Sequence, residues 1–408
     1  MSKKGIITFS ELAQEAALQP LEQVARMKKN AEHLFIGIPR EITSQENRVP
    51  LTPSAVASLV NNGHEVWIES KAGDASHFYN NEYSEAGAKI INSHEEIYKA
   101  DIVIKIEPPT AEEIEYMRPD QILISALQLE QLDPILLNRI LLKRINAIAF
   151  EFLQDDSGAL PFMRTMSEIA GHACIMLASE CLNNAHGGKG ELLGGFTGIP
   201  PTHVVIIGAG AVGEYAARAA IGLGACVKVF DNELYRLRRL QENLGTKVYT
   251  STIQPKILSE ALRTCDIAIG ALRGEKGRTP VVVSEQMVSK MKPKSVIVDI
   301  SIDQGGVFET SEVTNHKNPI IIRHDVIHYC VPNITSRVSR TTSYALSNIC
   351  TPLLMDMANS GGFYEYMKEA AGSRQGIYAF KGSLCNASLA YKFGMKSKDI
   401  DFLLGAFS

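Results

Sequence analysis

Residues 204–213 constrain the fold of this chain more than any other part of the sequence. They read Val-Val-Ile-Ile-Gly-Ala-Gly-Ala-Val-Gly, a branched apolar run typical of a buried parallel strand followed by G-x-G-x-x-G spacing. Residues 214–223 are helical in pattern, and the next apolar run, 227–230, ends on Asp231. An acid about 20 residues beyond a strand, glycine turn and helix predicts a dinucleotide-binding βαβ unit.

Each position of this unit has a physical role in binding a dinucleotide. Gly208 permits the tight turn, Gly210 lets the backbone approach a pyrophosphate, and Gly213 lets the helix pack closely on the strand. Free N–H groups at the helix N-terminus attract the phosphates. Asp231 is expected to accept hydrogen bonds from the ribose hydroxyls and to repel a 2′-phosphate, so the sequence predicts NAD rather than NADP.

Composition and patterning exclude several classes of protein. A chain of 408 residues that is 45% apolar predicts about two globular domains. A net charge of -4 without a basic run gives no reason to expect a nucleic-acid partner. No apolar stretch approaches about 18 residues, and the N-terminal residues lack a secretory pattern, so we expect no membrane partner and a cytoplasmic location. The seven scattered cysteines predict reduced thiols, and no residue spacing predicts a metal site.

Apolar patterning predicts an α/β fold, with two Rossmann-like domains of parallel strands around an interdomain cleft. Two long helical stretches, at about 167–184 and 341–359, flank the dinucleotide unit as connectors, so the C-terminus is expected to return to the first domain. The cleft is the expected site. The predicted division is a helical extension at 1–33, a substrate domain at 34–162 plus 340–408, and an NAD-binding domain at 163–339.

Five further segments are typical of one enzyme family. They are Ile38-Pro-Arg-Glu, Glu46-Asn-Arg-Val-Pro-Leu-Thr-Pro53, Met166-Ser-Glu-Ile-Ala-Gly171, Val298-Asp-Ile-Ser-Ile-Asp-Gln-Gly-Gly306 and Tyr329-Cys-Val-Pro-Asn333. On these segments the chain resembles the alanine dehydrogenase family, which includes the NAD-binding component of proton-translocating transhydrogenase. The resemblance implies NAD-dependent oxidative deamination of L-alanine, or a related amino acid, to a 2-oxo acid and ammonia. It also implies a homo-oligomer, either a hexamer or a dimer.

The resemblance further implies roles for individual residues. Arg48 matches the arginine that holds the substrate carboxylate, which a guanidinium grips in two places. Asp303 matches the catalytic aspartate; the alternative is an aspartate that orders the Asp-Gln-Gly-Gly turn. Gln128 and Met166 are expected beside the substrate. The implied cofactor-binding residues are Ser167, Gly208, Gly210, Ala211, Val212, Gly213, Asp231, Arg236, Leu272, Ile300, Asp303, Val331 and Asn333.

Two positions depart from the family pattern. The family usually reads Lys-Val-Lys-Glu-Pro, and its second lysine contacts the substrate, whereas Lys105-Ile-Glu-Pro-Pro109 places Glu107 there. The family's catalytic histidine is replaced by Gln128, which does not titrate. A carboxylate at position 107 repels a substrate carboxylate by about 4 kcal/mol at about 4 Å and favours a cationic amine or side chain instead.

Lys105 and Glu107 are the predicted proton-transfer groups in place of the missing lysine and histidine. They alternate along a strand, so we expect them on one face and paired, and the alternative for Lys105 is a purely structural ion pair. Glu151, at a strand end, is a further candidate carboxylate. Two other functions stay open: a non-catalytic NAD(H)-binding sensor or assembly protein, and a transhydrogenase-like nucleotide-binding subunit.

Overall fold

Short apolar strands alternate with helices along the described chain and form two sheets. The computed structural model describes residues 31–43, 45–128, 132–274 and 278–406. The first sheet contains β1 (Phe35–Ile38), β2 (Glu65–Glu69), β3 (Lys89–Ile91), β4 (Ile102–Ile104), β5 (Ile122–Ser125), β6 (Asn146–Ala149), β14 (Ile377–Phe380) and β15 (Ser383–Leu384). The second contains β7 (His203–Ile207), β8 (Cys226–Phe230), β9 (Tyr249–Ser251), β10 (Ile267–Gly270), β11 (Val296–Asp299), β12 (Ile320–Arg323) and β13 (Val326–Tyr329).

Both sheets reverse their strand order at a central point. The first sheet runs β15-β14-β6-β5-β4-β1-β2-β3, and the second runs β12-β13-β11-β10-β7-β8-β9. The order therefore switches direction between β1 and β4 in one sheet and between β7 and β10 in the other. Open α/β sheets bind ligands outside the carboxyl ends of their strands at such switch points. The predicted α/β class with Rossmann-like sheets is confirmed by this topology.

The sheets are mostly parallel rather than wholly parallel, which corrects the prediction. Strand β12 is antiparallel to β13, and β14 is antiparallel to both β6 and β15. Two-residue turns join these hairpins, with positive φ at His324 and Asp325 in one and at Lys381 and Gly382 in the other. Such turns suit tight hairpins, but only one of the four residues is a glycine, so the sequence carried a weak signal for them.

Helices cover both sheets. Those of the first part are α1 (Pro53–Asn61), α2 (Asn80–Glu85), α3 (His94–Ile97), α4 (Ala111–Tyr116), α5 (Pro134–Leu142) and α6 (Pro161–Leu182). Those of the second part are α7 (Ala211–Gly222), α8 (Leu234–Leu244), α9 (Pro255–Thr264) and α10 (Glu285–Val288). The last are α11 (Ser339–Asn359), α12 (Phe363–Glu369), α13 (Ala371–Arg374), α14 (Ala387–Phe393) and α15 (Ile400–Ala406).

The long helices α6 and α11 flank the second sheet in sequence. Helix α6 packs against α7 so tightly that a Cβ at Gly171 would lie 2.3 Å from the Val212 carbonyl oxygen. After α11 the chain adds β14 and β15 to the edge of the first sheet. Of the predicted extension at 1–33, residues 1–30 lie outside the described residues, and Glu32 donates a backbone hydrogen bond to Ala358 of α11 at 2.8 Å.

Candidate active site

The glycine turn after β7 leaves open space at the N-terminus of α7. A Cβ at Gly208, whose φ is 118°, would lie 2.2 Å from the Ala271 carbonyl oxygen, and one at Gly213 would lie 1.9 Å from the Gly208 carbonyl oxygen. A Cβ at Gly210 would meet no atom within 4 Å. Two glycines are therefore required by packing, whereas the third faces a space that suits a pyrophosphate at the helix terminus.

Asp231 is held beside this turn at the end of β8. Its side chain is buried, and its Oδ2 accepts from the Ala209 backbone N–H at 2.7 Å while Oδ1 accepts from the Glu233 N–H at 2.8 Å. Each carboxylate oxygen has a second lone pair, so both oxygens keep the capacity to accept a ribose hydroxyl. Arg236 lies in the first turn of α8 and is half-buried.

The residues predicted on the nicotinamide side follow the carboxyl ends of three strands. Leu272 follows β10, Ile300 and Asp303 follow β11, and Val331 and Asn333 follow β13. Loops at the same edge of a sheet converge, and the Ser301 hydroxyl ties two of them by donating to the Leu272 carbonyl oxygen at 2.6 Å. Ser167 lies on α6, where its hydroxyl donates to the Met163 carbonyl oxygen at 2.7 Å, and Ala211 and Val212 open α7.

Asp299 orders the Asp-Gln-Gly-Gly turn. The buried Asp299 carboxylate accepts from the backbone N–H of Val307 at 2.8 Å and from the Ser311 hydroxyl at 2.7 Å. It also accepts from the Ser301 N–H at 3.2 Å. Burial raises the pKa of Asp299. Asp303 is exposed on the same turn.

Arg48 forms a two-pronged ion pair with Glu46. Its Nε lies 2.7 Å from Glu46 Oε1 and its Nη2 lies 2.5 Å from Oε2. The Glu46 side chain is 0% exposed and that of Arg48 is 11% exposed. Arg48 lowers the pKa of Glu46 against the upward effect of burial. The guanidinium is therefore fixed in direction, and part of its fork is already occupied.

This ion pair joins the two halves of the site. Asn333 donates from Nδ2 to Glu46 Oε2 at 2.8 Å, and Arg48 Nη1 donates to Thr335 Oγ1 at 3.0 Å. Arg48 Nη1 also lies 3.5 Å from the Met166 sulfur on α6. The structure thus brings together Arg48 and Met166, predicted for the substrate, with Asn333, predicted for the coenzyme.

Glu107 and Gln128, the two positions that depart from the family pattern, contact each other. Gln128 donates from Nε2 to Glu107 Oε2 at 2.7 Å. Gln128 has a φ of 48°, and its backbone N–H donates to Glu151 Oε1 at 2.9 Å. Glu151 also accepts from the Leu127 N–H at 2.9 Å, so its carboxylate orders the loop after β5.

Lys105 pairs with Glu113, and the expected pairing with Glu107 is wrong. Its side chain is 1% exposed, and Nζ lies 2.7 Å from Glu113 Oε1 and 3.7 Å from Glu41 Oε2. Strand β4 ends at Ile104 and the chain then bends, so strict alternation does not extend to Glu107. This burial and pairing favour the structural reading of Lys105.

Several residues of this region were missed from the sequence. Glu113 closes a capping box on α4, because its Oε2 accepts from the Thr110 N–H at 2.6 Å while Thr110 Oγ1 accepts from the Glu113 N–H at 3.2 Å. The Thr-x-x-Glu spacing was the available signal. His94 lies 2.7 Å from Glu69 and 3.4 Å from Glu113, and these carboxylates raise the pKa of His94 to about 9.

Two carboxyls have pKa values near neutrality. Burial raises the pKa of Glu41 to about 7, and burial together with the Glu46 charge raises the pKa of Glu107 to about 7. Glu41 Oε1 accepts from the Ile106 N–H at 2.5 Å, whereas its Oε2 has no hydrogen-bond partner among the described residues. Groups that titrate near pH 7 are suited to acid–base chemistry.

Neither a metal-ligand cluster nor a membrane-spanning helix occurs among the described residues. Within residues 31–43, 45–128, 132–274 and 278–406, no three His, Cys, Asp or Glu side chains are grouped to hold a metal ion. In the same ranges, no helix combines the length and the apolar character needed to cross a membrane. All seven cysteines are free thiols.

The chain matches two family profiles and close relatives over most of its length. The profile for the alanine dehydrogenase/PNT N-terminal domain matches residues 37–170, and that for the C-terminal domain matches 174–387. The chain is 38% identical over 370 residues to alanine dehydrogenase 2 of Staphylococcus aureus (strain USA300), covering 90% of this chain and 98% of the relative.

Solved structures give the same result. One titled L-alanine dehydrogenase superposes with a TM-score of 0.82 at 34% identity, covering 88% of this chain and 99% of that one. A transhydrogenase from Sinorhizobium meliloti superposes with a TM-score of 0.74 at 22% identity, covering 86% and 99%. At that lower identity the likeness shows the fold alone.

The fold and the site together define a dinucleotide-binding α/β oxidoreductase with two Rossmann-like sheets. Within that class, the chain belongs to the alanine dehydrogenase/PNT family. The predicted resemblance is therefore confirmed. The prediction of an NAD-dependent oxidoreductase like L-alanine dehydrogenase, acting on CH–NH2 groups, is confirmed at the level of the family.

Proposed function

We propose that this protein oxidises the CH–NH2 group of an amino acid with NAD and releases a 2-oxo acid and ammonia. One observation carries the proposal. Both carboxylate oxygens of Glu46 bind Arg48, and Oε2 also accepts from Asn333 at 2.8 Å. The candidate carboxylate anchor and the candidate nicotinamide loop therefore line one cleft. L-Alanine is the reference substrate, because the relatives carry that name.

The coenzyme side of the site fits NAD. The open space over Gly210 and the free N–H groups that begin α7 suit the pyrophosphate, and Asp231 suits the adenine ribose. When bound, NAD supplies the acceptor for a hydride from the substrate Cα. Leu272, Ile300, Val331 and Asn333 lie where they would surround the reactive ring, and Asp303 stands exposed at the same edge.

The substrate side supplies a carboxylate anchor and a proton acceptor. Glu46 engages two of the five Arg48 N–H groups and Thr335 a third, and the remaining N–H on Nη2 can hold a carboxylate oxygen. Glu107, whose pKa is about 7, can accept the proton that the substrate amine loses. Gln128 orients the Glu107 carboxylate by a hydrogen bond. Met166 packs beside Arg48. Lys105 is buried and paired with Glu113, so it acts on the site through its charge and not by contact with the substrate.

A second candidate is a non-catalytic NAD(H)-binding sensor or assembly protein. The Glu107–Gln128 contact favours it, because neither residue reproduces the lysine and histidine that the resemblance implies. The transhydrogenase-like reading rests on a 22% identical structure and has no separate support.

Finer properties of the protein are also proposals. We propose a substrate domain at 34–162 plus 340–408 and an NAD-binding domain at 163–339; the return of β14 and β15 to the first sheet supports this division. A homo-oligomer and a cytoplasmic location remain proposals, the latter supported by the seven free thiols.

Coenzyme binding and turnover separate the two candidates. Titration calorimetry with NADH, NAD and NADPH is expected to give micromolar binding of NADH and at least tenfold weaker binding of NADPH. A dehydrogenase then forms NADH from NAD with a member of a full amino-acid panel at alkaline pH. Coenzyme binding without turnover of any amino acid supports the sensor, and the absence of any binding contradicts both.

A further inference from the structure

The charges around Arg48 and Lys105 do not balance. Arg48 pairs with Glu46 at 2.5 Å and Lys105 with Glu113 at 2.7 Å. Glu69 is met by His94 at 2.7 Å and by Arg40 at 3.7 Å, and His94 also lies 3.4 Å from Glu113. The carboxyls of Glu41 and Glu107 remain. Among the described residues neither forms a close ion pair. Glu41 lies 3.7 Å from Lys105, which Glu113 already engages, and Glu107 accepts from the neutral Gln128 amide, while Arg48 acts on both only through its charge.

These two carboxyls lie together at the switch point of the first sheet. Glu41 follows β1, Glu107 follows β4, and the Glu107 backbone N–H lies 3.3 Å from Glu41 Oε1. The Glu41 side chain is 6% exposed, yet its Oε2 has no hydrogen-bond partner in the part of the chain that the structure describes. A buried carboxylate oxygen without a hydrogen bond costs free energy, so Oε2 retains the capacity to accept from a donor on a bound molecule.

Resting on the proposed function, we propose that the substrate is an amino acid with a cationic side chain. Its ammonium or guanidinium group would lie between Glu41 and Glu107, and its carboxylate would face Arg48. A second cation gives the substrate a net positive charge, which offsets the repulsion that Glu46, Glu107 and Glu41 exert on its carboxylate. The α-ammonium of a neutral amino acid such as alanine can meet Glu107, but it leaves Glu41 without a cation.

Because both carboxyls titrate near neutral pH, binding of a cation between them is expected to release protons, which can be measured independently of affinity. Burial raises the pKa values of Glu41 and Glu107 to about 7, so each is partly protonated at neutral pH. A cation bound between them favours the ionised forms, and the complex releases protons on formation. Titration at pH 7 in two buffers of different ionisation enthalpy measures that release.

Calorimetry of amino acids with the protein–NADH complex tests the inference, because the reduced coenzyme prevents oxidation. The probes are lysine, ornithine and arginine, with norleucine and alanine as neutral comparisons and an alkylamine as the probe without a carboxylate. We expect lysine or ornithine to bind at least tenfold more tightly than norleucine, with proton release. Glu107→Gln and Glu41→Gln are each expected to reduce that preference about tenfold, whereas Glu85→Gln, on the exposed face of α2, keeps it.

Each other outcome overturns the inference. If norleucine or alanine binds as tightly as lysine, or if Glu107→Gln keeps the lysine preference, the carboxyl pair does not select a cation. If the alkylamine matches lysine, the ligand is an amine rather than an amino acid. Turnover of neutral amino acids in the same protein leaves the proposed dehydrogenase intact while the cation preference fails, and loss of NADH binding removes the proposed function itself.

Discussion

Gln128 donates a hydrogen bond from Nε2 to Oε2 of Glu107 at 2.7 Å, and the family resemblance implies a histidine and a lysine at these two positions. The two departures are therefore one contact. A hydrogen-bonded pair of glutamate and glutamine forms a self-consistent arrangement beside Arg48, so restoring one family residue alone breaks a contact without replacing it.

The first prediction concerns that pair. Glu107→Lys together with Gln128→His is expected to raise kcat/KM for L-alanine at least tenfold over the parent, because the site regains a cation for the carboxylate and a titratable imidazole. Each single variant is expected to gain less than half of the double variant's increase in log kcat/KM for L-alanine, because residues in contact are energetically coupled. Steady-state kinetics of the parent, both single variants and the double variant measure this. Equal alanine turnover in parent and double variant contradicts the expectation.

The second prediction separates packing glycines from the coenzyme-facing glycine. Gly210→Ala is expected to change the free energy of unfolding by under about 0.5 kcal/mol, because its Cβ meets no atom within 4 Å and its φ of -72° suits alanine. Its NADH affinity is expected to fall at least tenfold, because the methyl group occupies the pyrophosphate space. Gly213→Ala, whose Cβ lies 1.9 Å from the Gly208 carbonyl oxygen, is expected to unfold at lower denaturant concentration.

The matched control for these variants is Gly222→Ala, at the far end of the same helix, where the Cβ is also unobstructed. It is expected to keep NADH affinity and to be as stable as the parent or more so. Unchanged NADH affinity in Gly210→Ala would place the pyrophosphate elsewhere.

The third prediction assigns different roles to two neighbouring aspartates. Asp299→Asn is expected to lower the free energy of unfolding by about 2–3 kcal/mol, because a buried carboxylate that accepts from Val307, Ser311 and Ser301 loses acceptor capacity. Asp303→Asn is expected to cost under about 1 kcal/mol and to lower kcat, because the exposed Asp303 side chain stands at the edge of the cleft. Denaturant titration and kinetics on both variants check this, and a reversal of the two effects contradicts it.

The fourth prediction is a stability change with pH that belongs to His94. The folded-state pKa of His94 is about 9 against an ordinary value of 6.5, so its protonated form is stabilised by Glu113 and Glu69. That stabilisation is fully present below pH 6.5 and is lost as the pH rises through 9. Because the ring is partly exposed, we expect a loss of about 1–2 kcal/mol.

His94→Gln removes this slope between pH 6.5 and 9, and denaturant titration across that range measures it. Glu41 and Glu107 act in a different window. Their pKa values rise from 4.5 to about 7, so their ionisation lowers stability between those values, a range that overlaps that of His94 only between pH 6.5 and 7. A slope in His94→Gln equal to that of the parent contradicts the assignment.

Local sequence signals were sufficient for the coenzyme half of the molecule. The pattern that predicts strand β7, the glycine turn and Asp231 consists of residues close together in the chain. Local sequence therefore specifies this βαβ unit. The apolar pattern predicts that helix α6 begins at about residue 167, whereas it begins at Pro161. A proline at the first helical position is a start signal that apolar periodicity does not include.

The substrate half depends on contacts that no local pattern encodes. Strand periodicity predicts an ion pair between Lys105 and Glu107, but β4 ends at Ile104. The partner of Lys105 is Glu113, which lies in the capped first turn of α4. The Glu46–Asn333 contact joins residues 287 positions apart. Such pairings follow from how the two sheets meet, which periodicity does not specify.

Transfer of the substrate Cα hydrogen to the coenzyme tests the central claim most directly. The purified protein would be mixed with NAD and amino acids deuterated at Cα, cationic and neutral members included, and the NADH formed would be analysed by mass spectrometry. A dehydrogenase is expected to form NADH carrying one deuterium per molecule from at least one amino acid. Saturable NADH binding with no NADH formed from any amino acid, or NADH formed without deuterium, would contradict it.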